Sequence, residues 1–280
     1  MINNPRRVKD LIKNLSDGDS GKMQLLQRRY VMERFLERIA ESEYSQNLVL
    51  KGGMLVTSML DVGKRMTRDT DITMQNMALN VESAVSMAEK IASISLDDGM
   101  SFDVMNAYEI MEDSEYGGVR IEIKARFGKM EIPMKLDLST GDILTPSAIE
   151  YHYKLMLEDR TIEILAYNVE TVLAEKIETM LMRSTLNTRM RDFYDMWALS
   201  KTESIDFEIL AKAIRATIEA RNHEVNFESF KKVTDALSSS EVMQRHWIRY
   251  QTRNDFASDV SWQDILSATR SLCENARLVE

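Results

Sequence analysis

The chain of 280 residues carries 45 acidic and 36 basic residues, a formal net charge of −9, and 44% of its residues are hydrophobic. This composition supports a packed core, and the length predicts two domains of ordinary size. The negative charge argues against a general nucleic-acid binder, because such proteins neutralise phosphates with Lys and Arg. No secretory segment or run of about 20 apolar residues is present, and Cys273 is the single cysteine, so we expect a cytoplasmic protein.

Charge is distributed unevenly along the chain. Residues 1–38 hold nine Lys or Arg against five Asp or Glu, a balance of +4. Such a concentration permits a local site for an anionic ligand, although a solvated basic face explains it equally well.

The first predicted elements are a helix, a short strand, a second helix and a second strand. Apolar residues at three- and four-residue steps predict a helix over 22–42. Residues 48–50 form a short apolar run that ends at two glycines, Gly52 and Gly53, after which a short helix is predicted. The segment "DTDITM", residues 69–74, then indicates a strand.

A hairpin is predicted after Gly117, and helices follow it. In "VRIEIKARF" and in "MEIPMKLDL", apolar and polar residues alternate as in half-buried strands. The predicted fold class is therefore α+β, with a mixed sheet and helices in residues 1–160 and an all-α domain in residues 161–280. Further predicted helices cover 81–95, 206–221, 227–237 and 262–277.

Two aspartates in the predicted strand indicate a metal site. Side chains alternate across a strand, so Asp69 and Asp71 share a face, with Cα atoms about 6.6 Å apart. Asp137, on the polar side of the second hairpin strand, is a candidate third carboxylate. Two Mg²⁺ ions about 3.5 to 4 Å apart would relieve the repulsion among the three. A half-exposed sheet also places polar residues on its solvated face, and that simpler explanation stays open.

The two glycines indicate a phosphate site. Gly52 and Gly53 end a strand and begin a helix, which leaves backbone N–H groups and the positive end of the helix dipole available to an anion. Arg65 and Arg68 are candidates to hold further phosphate oxygens, or are simply solvated.

Four segments in this order resemble the AbiEii/AbiGii nucleotidyltransferase toxins of bacterial abortive-infection and toxin–antitoxin systems, within the polymerase-beta-type nucleotidyltransferase superfamily. They lie within residues 48–200 and are "LKGGMLV…RMTRDTDIT", "KLDLSTGD", "LAEKIETMLMR" and "RMRDFYDMWAL". The resemblance implies a nucleotidyltransferase fold followed by a helical domain, and metal-dependent transfer of a nucleotidyl group. The wider superfamily has Gly-Ser where this chain has Gly52-Gly53, which would leave phosphate contact to the backbone N–H groups.

Two residues of the helical domain have alternative explanations. Lys176 interrupts the apolar stripe of its helix, and either its stem carries the ammonium to water or it meets a triphosphate in the cleft between the domains. Asp192 and Asp195 share one helix face, and one explanation is that they form surface ion pairs with Arg183, Arg189 and Arg191. The resemblance implies instead that Asp192 lies near the nucleotide and metal and that Asp195 pairs with an arginine.

The resemblance implies a role for each remaining site residue. Asp69, Asp71 and Asp137 would bind two Mg²⁺ ions, with Mn²⁺ as an alternative, and Asp137 would deprotonate the acceptor hydroxyl. The implied catalytic set is Asp69, Asp71, Asp137, Lys176 and Asp192, and the implied nucleotide-binding set is Gly52, Gly53, Arg65, Thr67 and Lys176.

The expected partners are an NTP, an RNA acceptor such as the end of tRNA, and a cognate antitoxin, in a system of phage defence. No membrane partner is expected. Two alternatives stay open: a module that binds GTP or another nucleotide without turnover, and nucleotidylation of a protein.

Overall fold

The computed structural model describes residues 1–60, 67, 69–110, 117–223 and 227–277. The chain divides into two compact units. The first contains Met1–Asp142 and Ala148–Tyr167, and the second contains Ile143–Ser147 and Asn168–Glu280. None of the helices in the described part of the chain combines the length and the apolar character needed to cross a membrane.

The first unit is built on one mixed sheet of seven strands in the order β3-β4-β5-β2-β1-β7-β6. The pairs β1–β7 and β2–β5 are parallel, and the other neighbours are antiparallel. The strands are β1 (Leu48–Lys51), β2 (Thr70–Met74), β3 (Met100–Ile110), β4 (Gly118–Phe127), β5 (Met130–Thr140), β6 (Ile149–Lys154) and β7 (Thr161–Ala166). The helices of this unit are α1 (Pro5–Leu15), α2 (Ser20–Ala40), α3 (Gly52–Met59) and α4 (Val81–Ala92).

Helices pack on this sheet and complete the core. α2 lies on β5 and β7, and α4 lies on β3 and β4. The helix predicted over 22–42 is α2, and its apolar positions, such as Phe35 and Ile39, are buried. The edge strands β3 and β6 bury few side chains, so the alternation that marks a strand is weak there and the sequence did not predict them.

Part of the N-terminal basic charge is buried within the first unit. Arg29 pairs with Glu33, and Arg38 donates two hydrogen bonds, 2.7 and 3.0 Å long, to the carboxylate of Asp98. Arg34 is fully buried as well. These three arginines are buried and paired with carboxylates, so they contribute no positive charge to the surface. The +4 balance of residues 1–38 therefore does not form one basic surface.

The second unit is helical, with no strand among its described residues. Asn168 caps its first helix by accepting a hydrogen bond from the Thr171 N–H at 3.1 Å, and Phe193 packs edge-on against Trp262 in the core. A sheet-based first unit and an all-α second unit confirm the predicted α+β class. The helices are α5 (Val169–Arg183), α6 (Met190–Thr202), α7 (Phe207–Ala220), α8 (Phe227–Ser239), α9 (Glu241–Gln251) and α10 (Trp262–Asn275), with short 3-10 helices at Ser184–Leu186 and Asp255–Ala257.

Candidate active site

One face of the sheet carries a row of polar residues that crosses five strands. Lys51 of β1 lies opposite Asp71 of β2, and Asp71 lies opposite Asp137 of β5. Asp137 in turn lies opposite Arg120 of β4, which lies opposite Tyr108 of β3. Directly opposed residues point to the same face of a sheet. These five residues, called the polar row below, therefore share one face.

The opposite face explains why the polar row points where it does. Ile72, Leu136 and Leu138 alternate with the two aspartates and are buried in the core. A slip of one residue in either strand would turn these apolar side chains to the polar face and bury Asp71 or Asp137 in the core. The alternation in the sequence thus fixes the face on which both carboxylates stand, as predicted.

Asp71 caps the start of α3. Its Oδ2 accepts a hydrogen bond from the Gly53 N–H at 3.1 Å, and it packs against Gly52, whose φ is +64°. The Gly53 N–H, which the sequence predicted to be unpaired, is therefore paired with a carboxylate in this structure, and phosphate binding at the start of α3 stays a prediction. The physical reason is that the positive end of a helix attracts the nearest carboxylate, and here that carboxylate is Asp71.

Asp137 is bound by Arg120 on the neighbouring strand. The guanidinium donates from Nε to Oδ1 at 2.7 Å and from Nη2 to Oδ2 at 2.6 Å, which is a bidentate pair. The side chain of Asp137 is 7% exposed and that of Arg120 is 27% exposed. These hydrogen bonds, together with the charges of Asp137 and Asp69 and a hydrogen bond with Tyr108, raise the pKa of Arg120.

Arg120 was missed from the sequence, although a signal for it exists. The strands β4 and β5 are joined by a turn of only two residues, Gly128 and Lys129. Such a turn sets the register of the whole hairpin, and counting back from it places position 120 opposite position 137. Alternation alone locates the hairpin and its polar face, whereas the pairing of positions 120 and 137 requires the register.

The predicted metal ligands do not converge in this structure. Among the described residues, no group of three or more His, Cys, Asp or Glu side chains is placed to hold a metal ion. Asp137 faces Arg120, and Asp71 faces the Gly53 N–H. The residue types nevertheless fit Mg²⁺, which prefers carboxylate oxygens, and Asp71 and Asp137 are direct neighbours on one face. In this structure the guanidinium of Arg120 binds the Asp137 oxygens that a metal ion would use.

A second ion pair stands at the other end of the polar row. The Lys51 ammonium lies 2.7 Å from Oδ2 of Asp142, which also accepts a hydrogen bond from Ser139 Oγ at 2.7 Å. Burial alone raises the pKa of the Asp142 carboxyl, but the Lys51 charge and the hydrogen bonds outweigh it and lower that pKa below its usual value. This pair was not predicted from the sequence.

Two of the predicted nucleotide-binding residues lie in the segment before β2. Thr67 is buried, and its Oγ1 donates to the backbone carbonyl of Asp69 at 3.4 Å, a long contact that supports the backbone beside Asp69. Arg65 lies outside the described residues, and so does Arg68.

In the second unit, Lys176 is held by two carboxylates. Its ammonium lies 2.7 Å from Oδ1 of Asp192 and 2.9 Å from Oδ2 of Asp195, and its side chain is 13% exposed. The alternative in which the stem carries the ammonium to water is therefore wrong. Asp192 also lies 3.6 Å from Arg189 Nε, so both the lysine and an arginine contact it.

Comparisons with known proteins bear on the identity of this site. None of the curated proteins matches the sequence. Among solved structures, the chain is similar to the nucleotidyltransferase toxin MenT4 of Mycobacterium tuberculosis, with 13% identity, a TM-score of 0.58 and coverage of 97% of this chain and 99% of that one. It is also similar to a protein of H. pylori assigned to the nucleotidyltransferases, with 15% identity, a TM-score of 0.51 and coverage of 91% and 94%.

These two likenesses establish a shared fold. The family model of the nucleotidyl transferase AbiEii toxin, from type IV toxin–antitoxin systems, matches residues 34–268, which is most of the chain. That match spans β1, the polar row and the helix that carries Lys176. The chain therefore belongs to the AbiEii family of nucleotidyl transferase toxins.

Proposed function

We propose that this protein transfers a nucleotidyl group from an NTP to an acceptor hydroxyl in a reaction that depends on a divalent metal ion. The observation that carries the proposal is the placement of Asp71 directly opposite Asp137, on adjacent parallel strands and on one face. The start of α3, with Gly52 and Gly53, lies beside Asp71. Carboxylates for cations and a helix N-terminus for phosphate are thus close together in the first unit.

Asp69, Asp71 and Asp137 are the proposed ligands of two Mg²⁺ ions, and Mn²⁺ is the alternative metal. A bound divalent ion would neutralise charge on the triphosphate and on the carboxylates. The chain itself positions the reactants. Asp137 accepts the proton of the acceptor hydroxyl, the acceptor oxygen attacks the α-phosphorus in line, and pyrophosphate leaves.

The nucleotide-binding residues are proposed in both units. Gly52 and Gly53 at the start of α3, with Arg65 and Thr67, are proposed to bind the triphosphate from the first unit. In the second unit, Lys176 carries a positive charge that suits a triphosphate, and Asp192 holds it in position at 2.7 Å.

RNA is the proposed acceptor, with the end of tRNA as the first candidate. Arg189 and Arg191 are exposed next to the start of α6, close in sequence to Asp192, and offer positive charge to a phosphate backbone. A cognate antitoxin, a cytoplasmic location and a role in phage defence belong to the same proposal, and membership of a toxin family supports them. A hydroxyl on a protein is the alternative acceptor.

Incubation with total cellular RNA and each labelled NTP in turn tests this proposal. We expect label in RNA and release of pyrophosphate with Mg²⁺, and neither with EDTA. Asp71→Asn should lose both products, because it removes a carboxylate but keeps an oxygen that can cap α3. The matched control is Asp103→Asn, a half-exposed aspartate of β3 that pairs with Arg126. Absence of pyrophosphate with RNA, protein and small-molecule acceptors would contradict the proposal.

A further inference from the structure

Arg120 forms a bidentate pair with Asp137, the carboxylate that the proposed reaction uses as a metal ligand and as the acceptor of the hydroxyl proton. Both Asp137 oxygens accept short hydrogen bonds from one guanidinium, and the carboxylate is almost entirely shielded from water. An unpaired charge in such a position would destabilise the fold. The guanidinium of Arg120 therefore neutralises the Asp137 carboxylate, as a bound metal ion would.

A divalent ion and the guanidinium compete for the same oxygens. A metal bound to Asp137 would lie about 2.0 to 2.6 Å from an oxygen. The Arg120 nitrogens lie 2.6 and 2.7 Å from those oxygens, so two cations would stand in close contact. Their repulsion in a partly buried site is large enough to move the more mobile partner.

The Arg120 side chain is the more exposed of the pair, so solvent offers its guanidinium space that the Asp137 carboxylate lacks. Arg120 is 27% exposed against 7% for Asp137. Tyr108 hydrogen-bonds to it on one side, and the negative charge of Asp69 also acts on it. The guanidinium thus has a second polar neighbour on the same face of the sheet, Tyr108, which lies opposite Arg120 on β3.

We propose that Arg120 is a positioning residue that holds Asp137 when no divalent ion is bound, and that metal binding at Asp71 and Asp137 displaces its guanidinium. The inference rests on the metal-dependent reaction proposed above. Displacement opposes metal binding, so the site binds metal weakly until an NTP contributes further ligands. Arg120 thereby couples metal binding to nucleotide binding.

Titration with Mn²⁺, followed by the EPR signal of the free ion, tests the inference without any measurement of activity. Arg120→Gln should bind Mn²⁺ about tenfold more tightly than the wild type in the absence of nucleotide, because it removes a competing charge. Arg120→Lys keeps the charge but loses the two-pronged hydrogen bonding, so its affinity should lie between the two. The matched control is Arg126→Gln, on the same face of β4, where Arg126 pairs with half-exposed Asp103 and exposed Glu131.

Thermal melts separate this role from a merely structural one. Arg120→Gln should melt below the wild type in EDTA, and Mn²⁺ should raise its melting temperature more than it raises that of the wild type. A purely structural arginine would lower both melting temperatures equally. If Arg120→Gln does not fold, Arg120→Lys gives the same comparison.

The outcomes distinguish this inference from the proposed function. Unchanged or weaker Mn²⁺ affinity in Arg120→Gln, with Asp71→Asn losing Mn²⁺ binding, overturns the role of Arg120 and leaves the metal site in place. Equal Mn²⁺ affinity in the wild type and Asp71→Asn overturns the metal site itself, and the proposed function fails with it.

Discussion

The carboxylate of Asp71 packs so closely against Gly52 that a Cβ at position 52 would lie 2.1 Å from its Oδ2. Gly52 also has a φ of +64°, a conformation that L side chains rarely adopt. Two independent requirements therefore select glycine at this position: the backbone conformation and the space for a carboxylate.

Gly52→Ala should consequently lose both stability and transfer activity, because Asp71 has to move away from the start of α3. The matched control is Gly18→Ala. Gly18 has a φ of +81° but no heavy atom within 4 Å of an added Cβ, so it tests the backbone conformation alone. We expect Gly18→Ala to lose about 1 to 2 kcal/mol of unfolding free energy, with full activity. Urea denaturation measures the loss of stability, and incorporation of labelled nucleotide measures the loss of activity. Equal losses of stability in the two variants, with full activity in both, would contradict the explanation that Gly52 makes space for Asp71.

Lys176→Met should destabilise the protein by about 3 kcal/mol, because it removes a cation from the fully buried Asp195. Urea denaturation measures this loss. The double variant Lys176→Met/Asp195→Asn should recover much of it, since a neutral amide is less unfavourable in the core than a carboxylate that has lost its lysine partner. An unchanged unfolding free energy in Lys176→Met would contradict the importance of this ion pair.

The same lysine variant tests nucleotide binding if it is assayed under conditions in which it is folded. We expect its affinity for Mg²⁺-NTP to fall several-fold, because a triphosphate loses a positive partner. The double variant with Asp195→Asn should show the same loss, because it also lacks the ammonium. Wild-type affinity in either variant would remove Lys176 from the nucleotide site.

The Lys51–Asp142 pair predicts a specific pH dependence of stability. Because the folded-state pKa of Asp142 is lowered from its ordinary value of 3.8, the pair contributes stability above that value and loses it as the pH falls through the folded-state pKa. Asp142→Asn should therefore be less stable than the wild type by about 2 kcal/mol near neutral pH. Urea denaturation from about pH 3 to about pH 7 should show the two proteins converging at the acid end. A constant difference across the range would contradict this assignment.

RNA binding, if RNA is the acceptor, should weaken as salt rises. Replacing both Arg189 and Arg191 by Gln should reduce the slope of log affinity against log salt by about one to two units, because each phosphate contact in single-stranded RNA contributes about 0.7. The control is the replacement of both Arg245 and Arg249 by Gln, since these two arginines are exposed on α9. Binding titrations at several salt concentrations give the slopes. An unchanged slope, or no RNA binding at low salt, would favour a protein or small-molecule acceptor.

Several features were predictable because they depend on residues close together in the chain. Period-two alternation placed the β4–β5 hairpin, and three- and four-residue steps placed α2 and most of the helices of the second unit. The alternation around Asp71 and Asp137 also predicted the face on which each stands. The order of the four segments identified the family, which the family model confirms.

The sequence by itself thus determined the type of the elements that show clear periodicity, the orientation of Asp71 and Asp137, and the family. Only the tertiary structure decided which charge meets which. Asp71 caps the start of α3, Lys51 pairs with Asp142, and Lys176 pairs with Asp192 together with the buried Asp195. The physical reason is that periodicity fixes the direction of a side chain, whereas its partner is selected by the register of strands and helices distant in sequence and by competition among all the charges brought to one face.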